Sequence, residues 1–178
     1  MSLIRCARLQ LRKLALSDDE FILRLLNEPA FLRFIGDKGV RTRADARDYL
    51  AQGPIESYRR CGFGLYLASL LDGDVPIGIC GLVKRDSLED VDIGFALLSR
   101  FHSCGYATEA AAAVLSFGLR RLNLPRIVAI TASDNRGSIA VLQKIGLKFE
   151  RMVKLAEHAE ALRLYGPATP GNRASHVP

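Results

Sequence analysis

Apolar residues alternate with polar ones, or form short unbroken runs, in seven segments of the chain, and each segment predicts a strand. Residues 7–14 alternate, with Leu9 and Leu11 on one face. Three apolar runs then follow one another. One more run and two final segments lie toward the C-terminus. The six later segments read FGLYLASL, VPIGICGLVKR, VDIGFALL, RIVAITAS, LKFERMVKLA and EALRLYGP.

The first half of the chain also contains two segments with apolar residues at helical spacing. In SDDEFILRLLNEP, Ser17 or Asp18 is the predicted cap and Pro29 the predicted end of the helix. A second helix begins at Thr42, and a further turn or two runs through Arg60. Both helices lie before the run of three strands.

Two more helices follow the three central strands. One begins directly after Gly105, and the other is capped by Asp134 or Asn135 and ended by Gly146. The full order is strand, two helices, three strands, helix, strand, helix and two strands. This order predicts a mixed sheet with helices on its faces.

The length of the chain predicts a single domain. With 178 residues it can bury most of the surface that its unfolded form exposes. We expect this domain to cover residues 1–169. Residues 170–178 have little to bury, so we expect them to form a disordered tail.

Composition excludes several classes of protein. Hydrophobic residues make up 49% and charged residues 25% of the chain, as in an ordinary globular protein. No apolar run approaches the roughly 20 residues that span a bilayer. Arginines interrupt the apolar patches of MSLIRCARLQLRKL, so we expect no signal peptide. These observations predict a cytoplasmic protein without a membrane partner.

Charge and cysteine usage narrow the choice of ligand. The net charge of +6 favours an anionic ligand, although charge alone does not separate nucleic acid from a nucleotide cofactor. The basic residues form no tract, so we expect no direct nucleic-acid partner. The cysteines lack the two-residue spacing of a zinc or redox motif, which predicts neither a metal site nor a disulfide framework. They are Cys6, Cys61, Cys80 and Cys104.

The junction between VDIGFALL and the third helix has the features of an anion-binding turn. Gly105 and its small neighbours let another group approach the backbone, and the first amides of the helix are unpaired. Such a turn can hold a phosphate. It has no lysine of the kind that a P-loop uses, and the chain is too short for a doubly wound dinucleotide fold with a substrate domain.

Four landmarks, in order and with matching spacing, carry a resemblance to a known family. RLQLRKLALSDDEFILRLLNEP, DIGFALLSRFHSCGYATEA, DNRGSIAVLQKIGLKFE and LRLYG resemble the GNAT superfamily of acetyl-coenzyme A-dependent N-acetyltransferases, over about residues 4–168. The resemblance is greatest to the Rim-type branch, which acetylates N-termini of ribosomal proteins. It implies an α/β (α+β) GNAT fold, with a central mixed, mostly antiparallel seven-stranded sheet flanked by about four helices.

The resemblance implies acetyl-coenzyme A as cosubstrate, without a metal, and assigns it to three segments. Backbone amides of the loop before the third helix would wrap the pyrophosphate, although His102 replaces the long polar residue usual in the family. The preceding strand would pair with the pantetheine arm and polarise the thioester carbonyl, while the strand after the helix splays away. The fourth helix would contribute Asn135 and Ser138. The other implied contacts are Phe95, Ala96, Leu97, Ser103, Cys104, Gly105, Tyr106, Ala107 and Thr108.

The reaction that the resemblance implies is direct attack on the thioester by a neutral primary amine, in a ternary complex. Ser138 would protonate the leaving thiolate, because Leu142 stands where many relatives have a tyrosine. Glu157 or Asp92 would take the proton of the amine, since Ile130 replaces the glutamate of other relatives. Each of these three residues also has a purely structural interpretation. A serine in a helix can bond to a backbone carbonyl, and either acid can be a solvated surface residue.

The acceptor stays open at this stage. A protein N-terminus and a small amine both fit the resemblance, and the second makes an antibiotic or polyamine acetyltransferase an alternative. The missing tyrosine and strand glutamate leave an alternative of another class, a noncatalytic coenzyme A-binding sensor. The resemblance is compatible with a homodimer.

Overall fold

The computed structural model describes residues 3–168, which form one eight-stranded sheet with helices on both faces. The strands are β1 (Ile4–Arg5), β2 (Leu9–Lys13), β3 (Leu65–Leu70), β4 (Pro76–Val83), β5 (Val91–Leu97), β6 (Ile127–Thr131), β7 (Leu147–Val153) and β8 (Leu162–Pro167). Their order across the sheet is β1-β2-β3-β4-β5-β6-β8-β7. The predicted tail, residues 170–178, lies outside the described residues, and the single domain over 1–169 stays a prediction.

Six α-helices occur within residues 3–168. They are α1 (Asp19–Leu26), α2 (Pro29–Phe34), α3 (Arg43–Leu50), α4 (Glu56–Cys61), α5 (Tyr106–Arg120) and α6 (Arg136–Lys144). A π-helical turn, Ala51–Ile55, joins α3 to α4. No helix in this part of the chain combines the length and apolar character needed to cross a bilayer.

The predicted fold class is confirmed, and the element counts need correction. All strand pairs are antiparallel except β5 with β6. The sheet has eight strands instead of seven because Ile4–Arg5 pairs with β2, and two residues are too few to show alternation. Pro29 begins α2 instead of only ending the helix before it, since proline fits the first helical turn.

The structure also settles which residues cap the helices. Asp18 does not cap α1 with its side chain. Its carboxylate accepts a hydrogen bond from the Ala15 N–H at 2.8 Å and pairs with Arg12 at 2.7 Å. For α6, the cap is Asn135 and not Asp134, because the Asn135 Oδ1 accepts from the Ser138 N–H at 3.1 Å.

Two hydrophobic cores lie on opposite faces of the sheet. Tyr66 and Leu67 are neighbours in β3 but belong to different cores, because successive side chains of a strand point to opposite faces. On one face α5 packs closely against the sheet: a Cβ added at Gly118 would lie 2.5 Å from the Ile127 side chain. On the other face the core is formed with α1, α2 and α3.

The strands β5 and β6 diverge soon after they begin. They pair only at Val91 with Ile127 and at Asp92 with Val128. Beyond these pairs β6 continues its pairing with β8, so the edge of β5 from Ile93 to Leu97 faces a wedge-shaped opening. This is the splay that the resemblance implied.

The closed end of the wedge is crossed by a chain of charged side chains. Arg126, just before β6, donates to Asp90 at 2.8 Å and to Glu150 of β7 at 2.7 Å and 2.6 Å. The pair with Glu150 passes over Gly166 of β8, where an added Cβ would lie 2.8 Å from the Arg126 Nη2. A side chain at this position would therefore displace the Arg126–Glu150 pair from its present path.

Candidate active site

A cavity of about 1240 Å³ occupies the wedge between β5 and β6. It exceeds the roughly 300–1,000 Å³ usual for one small ligand, so it has room for a coenzyme and an acceptor. All the predicted coenzyme contacts except Cys104 line it. A smaller depression of about 360 Å³ beside Gly146 and Phe149 contains none of the predicted site residues.

The loop between β5 and α5 is shaped by two residues in the left-handed region. Ser103 has φ 61° and Gly105 has φ 80°. Glycine adopts this conformation freely, whereas for an L-residue such as serine it costs of order 1 kcal/mol or more. The helix begins at Tyr106, so the unpaired amides of its first turn and its positive end face the loop. This geometry suits a phosphate group.

Side chains hold the loop at two points. The His102 Nε2 lies 2.9 Å from the Leu97 carbonyl oxygen, which can only accept, so an N–H at Nε2 donates in this contact. The Cys104 carbonyl accepts from the Arg8 guanidinium at 3.0 Å. His102, the departure from the usual motif, thus attaches the start of the loop to β5.

The beginning of α6 brings Asn135 and Ser138 to the opposite wall of the cavity. The cap uses the oxygen of the Asn135 side-chain amide, which leaves its nitrogen to donate to a ligand. Within residues 3–168 the Ser138 hydroxyl makes no hydrogen bond, so the structure does not adopt the alternative in which it bonds to a helix carbonyl. Leu142 is buried in the core.

Asp92 is a buried carboxylate in the cavity wall. Its side chain is 2% exposed, and Arg85 donates to its two oxygens at 2.9 Å and 3.4 Å. Burial raises the pKa of Asp92 above its usual value, and the charge of Arg85 opposes this rise. The alternative of a solvated surface acid is therefore wrong for Asp92.

Tyr49 of α3 lies in the same part of the cavity, on the face of the sheet opposite α5. Burial raises the pKa of its phenol, and the charge of Arg85 again acts in the opposite direction. Asp92, Arg85 and Tyr49 therefore place a carboxylate, a guanidinium edge and a phenolic hydroxyl together in this part of the cavity.

Glu157 lies apart from this group. It is exposed in the connection between β7 and β8 and does not line the cavity, and the neighbouring His158 is exposed as well. Leu155 and Leu162, which flank the connection, do line it. The structure thus brings Asp92 and Ser138 to one cavity but not Glu157, whose catalytic role stays a prediction.

Sequence reasoning missed two arginines that contact the candidate site. Arg85 precedes Asp92 by seven residues across a β4–β5 turn, so a hairpin alignment could have paired them. Arg8 reaches the loop before α5 from 96 residues away, and no local pattern indicates that contact. Between residues 3 and 168, no three His, Cys, Asp or Glu side chains are grouped so that they could hold a metal ion.

Residues 8–148 match the family model described as the Acetyltransferase (GNAT) domain. The chain therefore belongs to the GNAT acetyltransferases, a family of acetyl-coenzyme A-dependent enzymes.

Individual proteins are similar to this chain in sequence or in fold. The chain is 27% identical to the uncharacterized N-acetyltransferase YnaD of Bacillus subtilis (strain 168) over 151 residues, 85% of each protein. Its fold matches an acetyltransferase from Agrobacterium tumefaciens with a TM-score of 0.78 at 23% identity, covering 93% of this chain and 94% of the other. It also matches the RimL ribosomal L7/L12 alpha-N-protein acetyltransferase in complex with coenzyme A, with a TM-score of 0.77 at 21% identity and coverage of 90% and 93%.

Proposed function

We propose that this protein transfers the acetyl group of acetyl-coenzyme A to a primary amine by direct attack in a ternary complex. The observation that carries the proposal is a juxtaposition in one cavity. The left-handed loop before α5, the unpaired edge of β5 and the capped start of α6 all line the same wedge.

The residues present fit the coenzyme. The amides from Ser103 to Thr108, together with the positive end of α5, suit the pyrophosphate. The open edge of β5 from Phe95 to Leu97 offers main-chain groups to the amides of the pantetheine arm, in the manner of an added strand. The coenzyme supplies the acetyl group as an activated thioester.

An N–H on the β5 edge polarises the thioester carbonyl. Because β4 holds β5 in register along residues 92–97, this dipole is fixed before the reaction and needs no reorganisation. Preorganised donors of this kind contribute roughly 10²–10³-fold to turnover in other acyl-transfer sites.

Asp92 is the group that removes the proton from the attacking amine. A lysine amine is mostly protonated at neutral pH and a chain terminus partly so, and only the neutral form attacks. The raised pKa of Asp92 makes it a better proton acceptor, while Arg85 favours the ionised form that catalysis requires. Glu157 is the second candidate, and it would need the connection between β7 and β8 to move toward the cavity.

Ser138 donates a hydrogen bond to the departing thiolate. It lies three residues after Asn135, so both occupy the cavity face of α6 at its beginning. If the Asn135 amide holds the pantetheine arm, the hydroxyl lies near its sulfur, where negative charge develops as the bond breaks.

For the acceptor, a protein N-terminus is the first class to test. RimL, described as an alpha-N-protein acetyltransferase, shares the fold over 90% of this chain, which supports this choice. Small amines, including polyamines and aminoglycoside antibiotics, form the second class.

The deciding experiment measures thiol release from acetyl-coenzyme A with a panel of peptides, polyamines and aminoglycosides. Release with one class of amine identifies the acceptor. Tight coenzyme binding without release with any amine would instead indicate the sensor module. Calorimetric titration supplies the control for the cosubstrate: tighter binding of ATP or NAD than of acetyl-coenzyme A would contradict the proposal.

A further inference from the structure

Arg8 connects the first hairpin of the sheet to the loop proposed for the pyrophosphate. It lies in the short connection between β1 and β2, and its Nη1 donates to the Cys104 carbonyl at 3.0 Å. Its Nε and backbone N–H both donate to the Glu109 carboxylate in the first turn of α5, each at 2.7 Å. The guanidinium carbon also lies 4.5 Å from the centre of the Tyr106 ring.

The carbonyl that Arg8 holds lies between the two left-handed residues of the loop. Cys104 follows Ser103, and the peptide that carries its carbonyl also carries the N–H of Gly105. Because a trans peptide is planar, its C=O and N–H point in opposite directions. Holding the carbonyl on the Arg8 side therefore directs the Gly105 N–H away from Arg8. Gly105 lines the cavity whereas Cys104 does not, which agrees with this orientation.

We propose that Arg8 is a positioning residue for the coenzyme: it fixes the Cys104–Gly105 peptide so that the Gly105 N–H faces the pyrophosphate. This inference rests on the proposed function, because it takes the loop as the phosphate site. Arg8 orders a loop that contains a strained serine before the coenzyme arrives, so binding does not have to supply the ordering.

The role of Arg8 is geometric, because Glu109 already compensates its charge. The Arg8 side chain is 49% exposed and that of Glu109 is 16% exposed. An ordinary exposed ion pair of this kind contributes little to stability. If Arg8 served only as such a pair, its removal would leave the ratio of the affinities for coenzyme A and for pantetheine unchanged.

The test compares Arg8→Met with the matched control Arg12→Met. Both arginines belong to the first hairpin and both form an ion pair at 2.7 Å, but Arg12 pairs with Asp18, away from the loop. Calorimetry on the full chain gives the Kd for coenzyme A and for pantetheine, which lacks the pyrophosphate and the adenosine. We expect the preference for coenzyme A over pantetheine to fall about tenfold in Arg8→Met and to stay unchanged in Arg12→Met.

The ratio of the two affinities separates positioning from a loss of folded protein, because partial unfolding weakens both ligands equally. An unchanged ratio in Arg8→Met overturns the inference, whatever happens to the melting temperature. Arg8→Lys keeps the charge without the planar donor set, so we expect it to lose the preference as well. The lysine ammonium can itself donate to the Cys104 carbonyl, so a wild-type ratio in Arg8→Lys with a reduced ratio in Arg8→Met would still support positioning, through one donor instead of the planar set.

Failure of the proposed function gives a different result. A wild-type protein that binds coenzyme A no more tightly than pantetheine would show that the loop holds no pyrophosphate. That outcome removes the phosphate site itself and the role of Arg8 with it. Strong wild-type preference that persists in Arg8→Met contradicts only the inference about Arg8.

Discussion

The two halves of the cavity offer ligands different parts of the chain. The half that we propose for the coenzyme, called the coenzyme half, offers mainly main chain, from the loop 102–107, the edge of β5 and the start of α5. The half that we propose for the acceptor, called the acceptor half, lies on the face covered by α2, α3 and the π-helical turn and offers the side chains of Arg85, Asp92 and Tyr49. Main-chain recognition depends on backbone conformation and tolerates side-chain changes such as His102. Side-chain recognition changes with a single substitution, so the acceptor half can differ between proteins with the same coenzyme site.

The largest effect should come from Asp92→Asn, which removes the proposed base in the acceptor half. We expect turnover to fall by about 10²–10⁴-fold, because the asparagine amide cannot accept the proton of the amine. The affinity for coenzyme A should change little, since the Asp92 side chain is not among the groups proposed to hold the coenzyme. Steady-state kinetics and calorimetry measure the two quantities separately.

Glu157→Gln is the matched control for this loss of charge. With Asp92 as the base, this variant keeps its turnover. Full activity in Asp92→Asn together with a large loss in Glu157→Gln would exchange the two roles, and would require the connection between β7 and β8 to close on the cavity.

Ser138→Ala tests the point where the two halves would meet, at the sulfur of the coenzyme. Removing the hydroxyl withdraws a hydrogen bond made mainly in the transition state, so we expect turnover to fall roughly 10²-fold, equivalent to about 3 kcal/mol. Coenzyme affinity and melting temperature should stay close to wild type. Near-normal turnover would mean that the thiolate leaves without this donor.

Gly105→Ala tests the main-chain half. A Cβ at φ 80° is strained, and we expect the loop to shift and coenzyme A to bind about tenfold more weakly, in line with a cost of roughly 1–2 kcal/mol for a left-handed L-residue. Gly62→Ala is the matched control, because Gly62 has φ 77° at the end of α4 and no neighbour within 4 Å of an added Cβ. Gly62→Ala should lose about as much stability as Gly105→Ala, without any change in the affinity for coenzyme A. Equal loss of affinity in both variants would contradict the loop as the binding site.

Arg85→Met should give the smallest effect, a shift in the pH dependence of kcat/KM. The positive charge of Arg85 lowers the pKa of Asp92, so its removal raises that pKa further. Catalysis needs the ionised carboxylate, and the acidic limb of the pH profile of kcat/KM should therefore move to higher pH. Tyr49 also faces Arg85, from α3, but its phenol titrates on the alkaline side. Arg85→Lys retains the charge and should restore most of the profile; an unmoved acidic limb in Arg85→Met would contradict Asp92 as the base.

The fold followed from the sequence wherever a pattern was long enough to read. The runs that became β3, β4 and β5 span six to eight residues, whereas β1 has two residues and depends on its pairing with β2. The prediction that Pro29 ends the first helix misses α2, because proline also fits the first turn of a helix, and Phe31 of α2 is buried in the core.

The candidate site was predictable where the backbone determines it. Gly105 and a cap at Asp134 or Asn135 can be read locally, because a left-handed turn and a helix start require particular residue types, and the structure then selects Asn135. The burial of Asp92 could not be read, since one acid in an apolar strand fits an exposed and a buried position equally well. Arg8 contacts the loop only after the sheet has formed, so its role has no local signal.

The closed end of the wedge also determines how the folded protein opens. Two residue pairs join β5 to β6, whereas six join β4 to β5, so the junction has few ladder hydrogen bonds to break. The partly exposed bridge from Arg126 to Asp90 reinforces this junction, whereas the bridge from Arg126 to Glu150 of β7 ties β6 to the strands beyond it. Elements held by few such bonds open at a lower free energy than global unfolding. We therefore expect β6, β8 and β7 to behave as one cooperative unit in amide hydrogen exchange, exchanging before the amides that join β3 to β4.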